Sequence, residues 1–393
     1  MNVIDRIKPS KQENELVSKL IKEIFFKLNK IKKIKFVLGG SISKDTWLKG
    51  TNEVDIFAKF NYSKFKEKDI SKLLYRDLKK YFKLKLVHGS RDYFHINYKG
   101  FTFEVVPILD IKNPKEAMNV TDLSPLHINF VKKYPKLKDE IRLLKAFCKA
   151  NSLYGAESYI SGLSGYASEV LTIYYKSFKN VLKNATKWKD KTIIDVLKKV
   201  KDPLNELNAS KIVSPLIIID PVDKTRNISA SLSYENFNKF IKLSKEYLEK
   251  PSERFFIFKK EVPKNAFVLE IKPLSGKQDV VGGKIVKAVN FILNELKRHG
   301  FDVIDKGFIW DKEIKFWFKV KGEKLDLYEI RKGPPGNLND NVKLFKKKYK
   351  TTFVKNGVYY TKVKREFTDI KELLRELLRE EYIRERVKEI KLK

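Results

Sequence analysis

Cysteine is almost absent. Cys148 is the only one in 393 residues, which excludes a disulfide framework, a zinc ribbon and a CxxC redox pair. His88, His95, His127 and His299 are scattered without the spacing of a transition-metal site. No apolar run approaches a membrane span of about 18 residues, and the opening MNVIDRIKPS has no apolar signal-peptide core. A GxxxxGK[ST] string is missing as well, so a P-loop kinase or ATPase is excluded. Acidic charge is in short supply: 84 Lys and Arg face 49 Asp and Glu, a net charge of +35. Such an excess goes far beyond what solubility requires and points to a polyanionic partner. A reduced, cytoplasmic setting with no membrane partner is the expectation. Oligomeric state stays open, a homo-oligomer being one alternative.

What the chain does have is apolar material enough to fold. Hydrophobic residues make up 42%, which excludes a wholly disordered chain. At roughly 150 residues per domain, the length predicts two or three domains. Residues 11–31 read as an amphipathic helix with Leu16, Leu20, Ile21, Ile24 and Leu28 at helical spacing. A strand over 34–38 runs into Gly39-Gly40-Ser41, and a helical turn leads to a second strand over 54–60. A helix over 70–83 and strands between 84 and 109, broken at Gly89 and Gly100, complete a small α/β domain over 1–135. Residues 136–260 read as mainly helical, interrupted by the β-like run IVSPLIIID. From 261 to 365 a strand, a helix stopped at Gly300 and two more strands resemble half or more of a split βαβ module. A charged amphipathic helical tail is expected over 366–393, docked through Leu373, Leu374, Leu377 and Ile383. The fold class is therefore α/β and α+β, multidomain.

The densest chemistry lies in GGSISKDTWLKGTNEVDIFAKF. Glu53 and Asp55 are two apart on the predicted strand, so both side chains leave one face. Carboxylates that close raise each other's pKa unless a cation lies between them, and Mg²⁺ suits such oxygen donors. Upstream, Gly40 lets the backbone approach a ligand, and the amides after it, with the Ser41 hydroxyl, offer donors to phosphate oxygens. A third carboxylate is needed if two cations are to clamp an attacking and a leaving oxygen. Glu104 in FTFEVVPIL is the leading candidate, because a lone Glu among Phe and Val is costly to bury unless paired or metal-bound. Asp92 and Asp110 are rivals nearer strand ends.

Three further regions stand out. In RLLKAFCKANSLYGAE, a helix facing Leu144 and Phe147 inward leaves Lys145 on the rim, where it can meet phosphate. The run PLIIIDPVDKTRN drives a strand into a rigid Asp–Pro turn crowded by Asp223, Arg226 and Asn227. Arg226 is either a presented donor fork or half of a structural Asp–Arg pair. Residues 331–365 hold eleven Lys or Arg and one acid, interleaved with aromatics, after a stiff Gly333-Pro334-Pro335-Gly336 break. Lys343, Lys346, Lys347, Lys348 and Tyr349 are its candidates for contact with a polyanion, which beside a polymerase-like head would be RNA, basic charge for phosphates and aromatics for sugars or bases.

The GG-S pair, eleven residues and then E-V-D resembles the signature of the DNA polymerase β nucleotidyltransferase superfamily. The longer string is most similar to the archaeal (class I) CCA-adding enzymes, the tRNA nucleotidyltransferases. The likeness continues through FEVVPI, SPLHINFV, SGYASEVL and PLIIIDPVDKTRNISA, and returns at YEIRKGPP. It implies a polymerase β-like head over 1–135, a nucleotide-recognising neck over 136–260, an RNA-binding body over 261–365 and a tail. It implies two Mg²⁺ ions on Glu53, Asp55 and Glu104, and a nucleotide site of Gly40, Ser41, Lys44, Arg91, His127, Lys145 and Tyr154. Arg226 falls on the arginine that recognises the incoming base, and the body and tail would hold the acceptor and TΨC region of tRNA. The implied activity is template-independent addition of CCA to tRNA from CTP and ATP, with loss of pyrophosphate. Another template-independent nucleotidyltransferase, such as a poly(A) polymerase or an oligoadenylate synthase relative, and a non-catalytic RNA binder are the alternatives. Two positions depart from the family: Glu104 stands where Asp is usual, and Arg91 where a histidine is usual. His127 competes with the reading of an ordinary packed histidine.

Overall fold

Ser10 opens the first long helix by a reciprocal cap: its hydroxyl accepts from the Glu13 amide, and the Glu13 carboxylate accepts from the Ser10 amide. The computed structural model describes residues 3–257, 261–310 and 313–393. Helix α1 (Lys11–Leu28) buries Val17, Leu20, Ile24 and Leu28. Leu16, expected on that stripe, is 49% exposed because Val17 occupies the inward position one residue on. The chain divides into two compact units, residues 1–259 and 260–393. The expected boundary at 260/261 touches residues outside those described.

The first unit opens on a five-stranded sheet. Its strands are β1 (Lys35–Leu38), β2 (Glu53–Asn61), β3 (Lys85–Val87), β4 (Tyr93–Tyr98) and β5 (Phe101–Asp110), in the order β1-β2-β5-β4-β3. Between β1 and β2 lies the single turn α2 (Gly40–Ser43), and between β2 and β3 the helix α3 (Ile70–Leu78). The latter ends five residues earlier than its pattern predicts. Only β2 and β5 run parallel; the other neighbours are antiparallel. One face, with Val54, Ile56, Phe94, Ile96, Phe103 and Val105, packs on α1 and α3 in a single core. Glu53, Asp55, Glu104 and His95 alternate onto the other face, which is also apolar where Phe57 and Ile108 meet Ile128.

Ile128 belongs to α4 (Ser124–Lys132), the first of the helices that follow: α5 (Lys138–Ala150), α6 (Gly165–Tyr175), α7 (Phe178–Ala185) and α8 (Tyr234–Glu249). Phe147 of α5 centres their core, touching Phe178, Phe240 and Phe255. The apolar run at 216–218 is indeed a strand, β7 (Leu216–Ile218), and it pairs in parallel with β6 (Thr192–Ile194), which the periodicity did not reveal. Arg142 of α5 is 2% exposed and ties the helix to the loop after α2. Its Nε donates to the Trp47 carbonyl at 3.0 Å, and its guanidinium pairs with Asp45 and Asp139.

The second unit forms two sheets. Strands β8 (Phe267–Lys272), β9 (Val303–Trp310) and β10 (Ile314–Val320) accompany the helix α9 (Gln278–Arg298), which ends before Gly300 at φ +94°. Because β10 lies antiparallel between β8 and β9, the arrangement is a split βαβ unit. Strands β11 (Tyr328–Pro335), β12 (Thr352–Lys355) and β13 (Val358–Lys364), ordered β11-β13-β12, form the second sheet, with α10 (Asn339–Lys348) against it. Gly333-Pro334-Pro335 ends a strand rather than breaking the chain. The tail departs from expectation: α11 (Ile370–Leu377) and the short α12 (Glu381–Arg384) give way to a strand, β14 (Glu389–Leu392), paired with β8. Ile390 and Leu392 alternate with charged residues and pack on the core, so the free sheet edge overrides the helical charge pattern. Docking of α11 is as expected, with Leu373, Leu374 and Leu377 buried.

Leu374→Ala should therefore lower the stability of the second unit by about 2–4 kcal/mol, read as a fall in its denaturant midpoint. An unchanged midpoint would mean that α11 is not part of that core.

Candidate active site

The glycine turn is packed against the acid that follows it. Gly39 donates its amide to the Asp55 carbonyl at 2.7 Å. Gly40 adopts φ +55°, and a Cβ placed there would sit 1.6 Å from Asp55 Oδ2. No other residue fits, because the missing side chain is the space the carboxylate occupies. Ser41 follows in α2, its carbonyl accepting from the Thr46 amide at 3.0 Å.

Glu53 and Asp55 leave β2 on one face, and the parallel register sets Asp55 opposite Glu104 on β5. The crowding is visible in the proton affinity of Asp55 and Glu104. Burial raises the pKa of Asp55, Lys44 opposes the rise, and Glu53 reinforces it. Burial, then Asp55, then Glu53 push Glu104 up to about 7. An all-oxygen set in which Glu53 raises Asp55, and both raise Glu104, fits a hard divalent cation. Among the described residues, however, no three acidic, histidine or cysteine side chains stand ready-made around one point. Glu104 has a neighbour of its own, its Oε1 lying 2.8 Å from His95 Nε2.

His95 was given no role by its spacing, yet it is the neighbour of Glu104 across the β4–β5 pair. The signal lay in Lys99-Gly100, which both adopt positive φ, 47° and 81°, in a two-residue hairpin turn. Such a turn sets Tyr98 opposite Phe101 and, counting back, His95 opposite Glu104. Asp92 bonds His88 at 3.0 Å, and Asp110 pairs with Lys59 at 2.6 Å. Neither rival acid is turned to the pair on β2.

Beside the carboxylates lies a buried charge cluster. Lys145 is not on the rim: it is 2% exposed, its ammonium 2.7 Å from Glu169 Oε1 and 3.0 Å from Thr46 Oγ1. The other Glu169 oxygen accepts from Lys44 at 2.7 Å. Burial lowers the Lys145 pKa to about 8 despite its partner. Burial alone would raise Glu169, but Lys145 and Lys44 hold it down at about 2. Tyr154, its pKa raised chiefly by burial, brings its hydroxyl past Gly165, where a Cβ would lie 2.6 Å from that oxygen.

A second polar cluster gathers on Asp220, which is fully buried. Its Oδ2 lies 2.9 Å from His127 Nε2 and 3.4 Å from an Arg226 Nη1, while Tyr166 donates to Oδ1 at 3.3 Å. His127 stacks on Tyr166 with ring centres 4.1 Å apart. Burial would raise the Asp220 pKa, but His127, the Val222 amide and Arg226 together lower it. Arg226 Nη1 is buried and makes no hydrogen bond within the described residues, although its ion pair with Asp220 stands. Arg91 is engaged elsewhere: it pairs with buried Asp122, which caps the 118–119 loop amides, and donates to the Pro107 carbonyl at 3.1 Å.

In the second unit Lys343, Lys346, Lys347 and Lys348 are exposed on α10, with Tyr349 at its end. Lys346 lies over the Tyr359 ring and Lys348 over the Tyr349 ring. The opposite sheet face is basic too. Register places Lys332, Tyr360 and Phe353 in one row, and alternation adds Lys355, Lys362 and Lys364. Phe353 and Tyr360 stack at 5.7 Å.

Comparison with known proteins bears on both units. The family model for the second domain of tRNA nucleotidyltransferase matches residues 139–257, and that for the C-terminal domain of the CCA-adding enzyme matches 275–389. A CCA-adding enzyme of Nanoarchaeum equitans is 39% identical over 386 residues, covering 94% of each chain. One of Sulfurisphaera tokodaii is 33% identical, covering 93% of this chain and 88% of its own. Among solved structures, the Cid1 poly(U) polymerase covers 65% of this chain and 96% of its own at 15% identity and a TM-score of 0.52, a likeness of fold.

Two outcomes follow from this geometry. Gly40→Ala should displace the Asp55 carboxylate, cut catalytic turnover about a hundredfold and lower the melting temperature, because the added Cβ is strained at this φ. Retained turnover would show that the close approach is dispensable. The Glu104 proton is held more tightly in the folded chain, at about 7 against an ordinary 4.5. Its contribution to stability is thus whole below the ordinary value and lost as pH rises through 7. In metal-free protein, Glu104→Gln should flatten the loss of stability between about pH 5 and pH 8. Equal pH slopes in denaturant titrations would contradict the assignment.

Proposed function

The chain belongs to the CCA-adding enzyme family, and from that premise we propose that it adds C, C and A to tRNA 3′ ends without a template. CTP and ATP are the substrates. The 3′-hydroxyl oxygen forms a bond to the α-phosphorus, the bond to the bridging β-phosphate oxygen breaks, and pyrophosphate leaves. The observation that carries this reading is the meeting of mutually repelling carboxylates with the Gly40 turn and the Lys44–Lys145 pair inside one unit.

Glu53, Asp55 and Glu104 are the residues that would hold magnesium, two ions in this reading. When bound, magnesium supplies positive charge that favours the deprotonated hydroxyl and the departing phosphate oxygen. The protein's own part is placement. Strand β2 fixes the spacing of Glu53 and Asp55, and the side-chain-free turn at Gly40 lets the backbone pack directly against Asp55. Lys44, 10% exposed against 3% for the Lys145 side chain, is the ammonium nearer solvent and meets the phosphates first. Ser41 and Tyr154 add neutral donors. Arg226, anchored by one ion pair to Asp220 with the same Nη1 making no hydrogen bond among the described residues, is assigned to the base of the incoming nucleotide. His127 and Tyr166 support the same carboxylate.

We assign the first unit to nucleotide chemistry, its head over 1–135 and its neck over 136–260. The second we assign to holding the acceptor and TΨC region of tRNA through α10 and the lysine-bearing sheet face. No helix among the described residues is long and apolar enough to cross a membrane, and a cytoplasmic site of action fits a tRNA substrate.

The test is to incubate the protein with magnesium, labelled CTP and ATP, and tRNAs trimmed by one, two or three 3′ residues. Each should be restored to CCA and extended no further, and Glu53→Ala or Asp55→Ala should abolish transfer while tRNA binding persists. Long homopolymer tails would instead favour a poly(A) polymerase. Full transfer by either variant would remove the carboxylates from the chemistry.

A further inference from the structure

Lys44 and Lys145 pose a problem that a third residue resolves. Two ammoniums packed on one site repel each other, and Lys44 indeed opposes protonation of Lys145. Burial penalises the charge further. Both lysines nevertheless converge on one carboxylate, Glu169 of α6, which is fully buried. Each ammonium lies 2.7 Å from a different oxygen of it, and the Thr46 hydroxyl donates to Oε1 at 2.9 Å. Lys44 and Thr46 come from the loop after α2, Lys145 from α5 and the carboxylate from α6. The electrostatic influence of both lysines reaches Asp55.

We propose that Glu169 is a positioning residue for the nucleotide's phosphates: a shared counter-ion that holds two ammoniums charged and side by side in a dry site. The inference rests on the phosphate-binding reading of Lys44 and Lys145 and names the group through which they act. One carboxylate between two ammoniums leaves a net charge of +1 facing the ligand. A triphosphate that reaches Lys44 meets a donor already desolvated and oriented, so little ordering remains to oppose binding. The carboxylate makes no contact with the reacting atoms. Its loss acts on ground-state binding of nucleotide more than on the chemical step, and on CTP and ATP alike because phosphates are common to both.

Glu169→Gln keeps the shape and removes the charge, while Glu169→Asp keeps the charge. Binding of a fluorescent ATP analogue in the presence of Mg²⁺ and of CTP by competition gives the readout, with tRNA affinity measured in parallel. Glu169→Gln should weaken both nucleotides about ten- to a hundredfold, leave tRNA affinity within about twofold and lose nucleotide at a lower pH than wild type. Glu169→Asp should recover part of the loss. In a Lys145→Met background the Glu169→Gln effect should shrink, since the residue acts through that ammonium. Wild-type nucleotide affinity in a folded Glu169→Gln protein overturns the inference, as does an equal loss of tRNA binding, which marks a purely structural role. If Glu169→Gln fails to fold, Glu169→Asp and Lys44→Met carry the test: nucleotide affinity unchanged in both overturns it. Failure of wild type to bind any nucleotide would instead strike at the phosphate site itself.

Discussion

The parallel pairing of β2 with β5 is the constraint on which the catalytic face depends. Parallel strands need a crossover, and here the crossover carries α3 and the β3–β4 pair before the chain returns beside β2. That return places Asp55 opposite Glu104 and gathers negative charge on the sheet face turned away from α1 and α3. Apolar residues on the reverse face anchor the register, since a slip by one residue would carry Val54 and Ile56 outward and the acids into the core. The energetic cost of crowding the carboxylates is therefore borne by the same hydrophobic packing that gives the domain its stability.

Charge of the other sign is handled differently. The lysines that face the carboxylates are not loose surface groups but members of a buried network whose counter-ion comes from another helix. Arg142 follows the same logic nearby, reaching from α5 to the Asp45–Trp47 loop. These ties knit the loop after α2 to the helices of the neck, so the glycine turn is braced from both its strand and its helical side. Rigid support of this kind is what a site needs when its groups must stay within a fraction of an ångström of a productive arrangement.

Much of this was readable without coordinates, and the reasons are local. A period of two puts Glu53 with Asp55; Gly39-Gly40 after an apolar strand marks a turn; and the β-α-β-β order of the second unit follows from alternating and helical spacing. What escaped is what depends on partners far along the chain. Lys145 lies one position past inward-facing Leu144, so helical spacing alone sends it toward solvent; Glu169, on another helix, draws it in. Glu169 itself sits in SGYASEVL, where nothing nearby explains a buried acid. The end of the chain reads as helix because its charges repeat at helical spacing, yet an unpaired strand edge on β8 offers it hydrogen bonds that propensity does not count.

The pairing of β14 with β8 has a bearing on how the molecule is made. During synthesis β8 leaves the ribosome long before β14, and for that interval one side of β8 is an uncovered row of amides and carbonyls. The second unit thus completes its sheet only after the residues of β14 have emerged, whereas the five strands of the first unit are all available much earlier. A nascent chain stalled within α11 would carry a finished catalytic head alongside an adhesive, half-built partner.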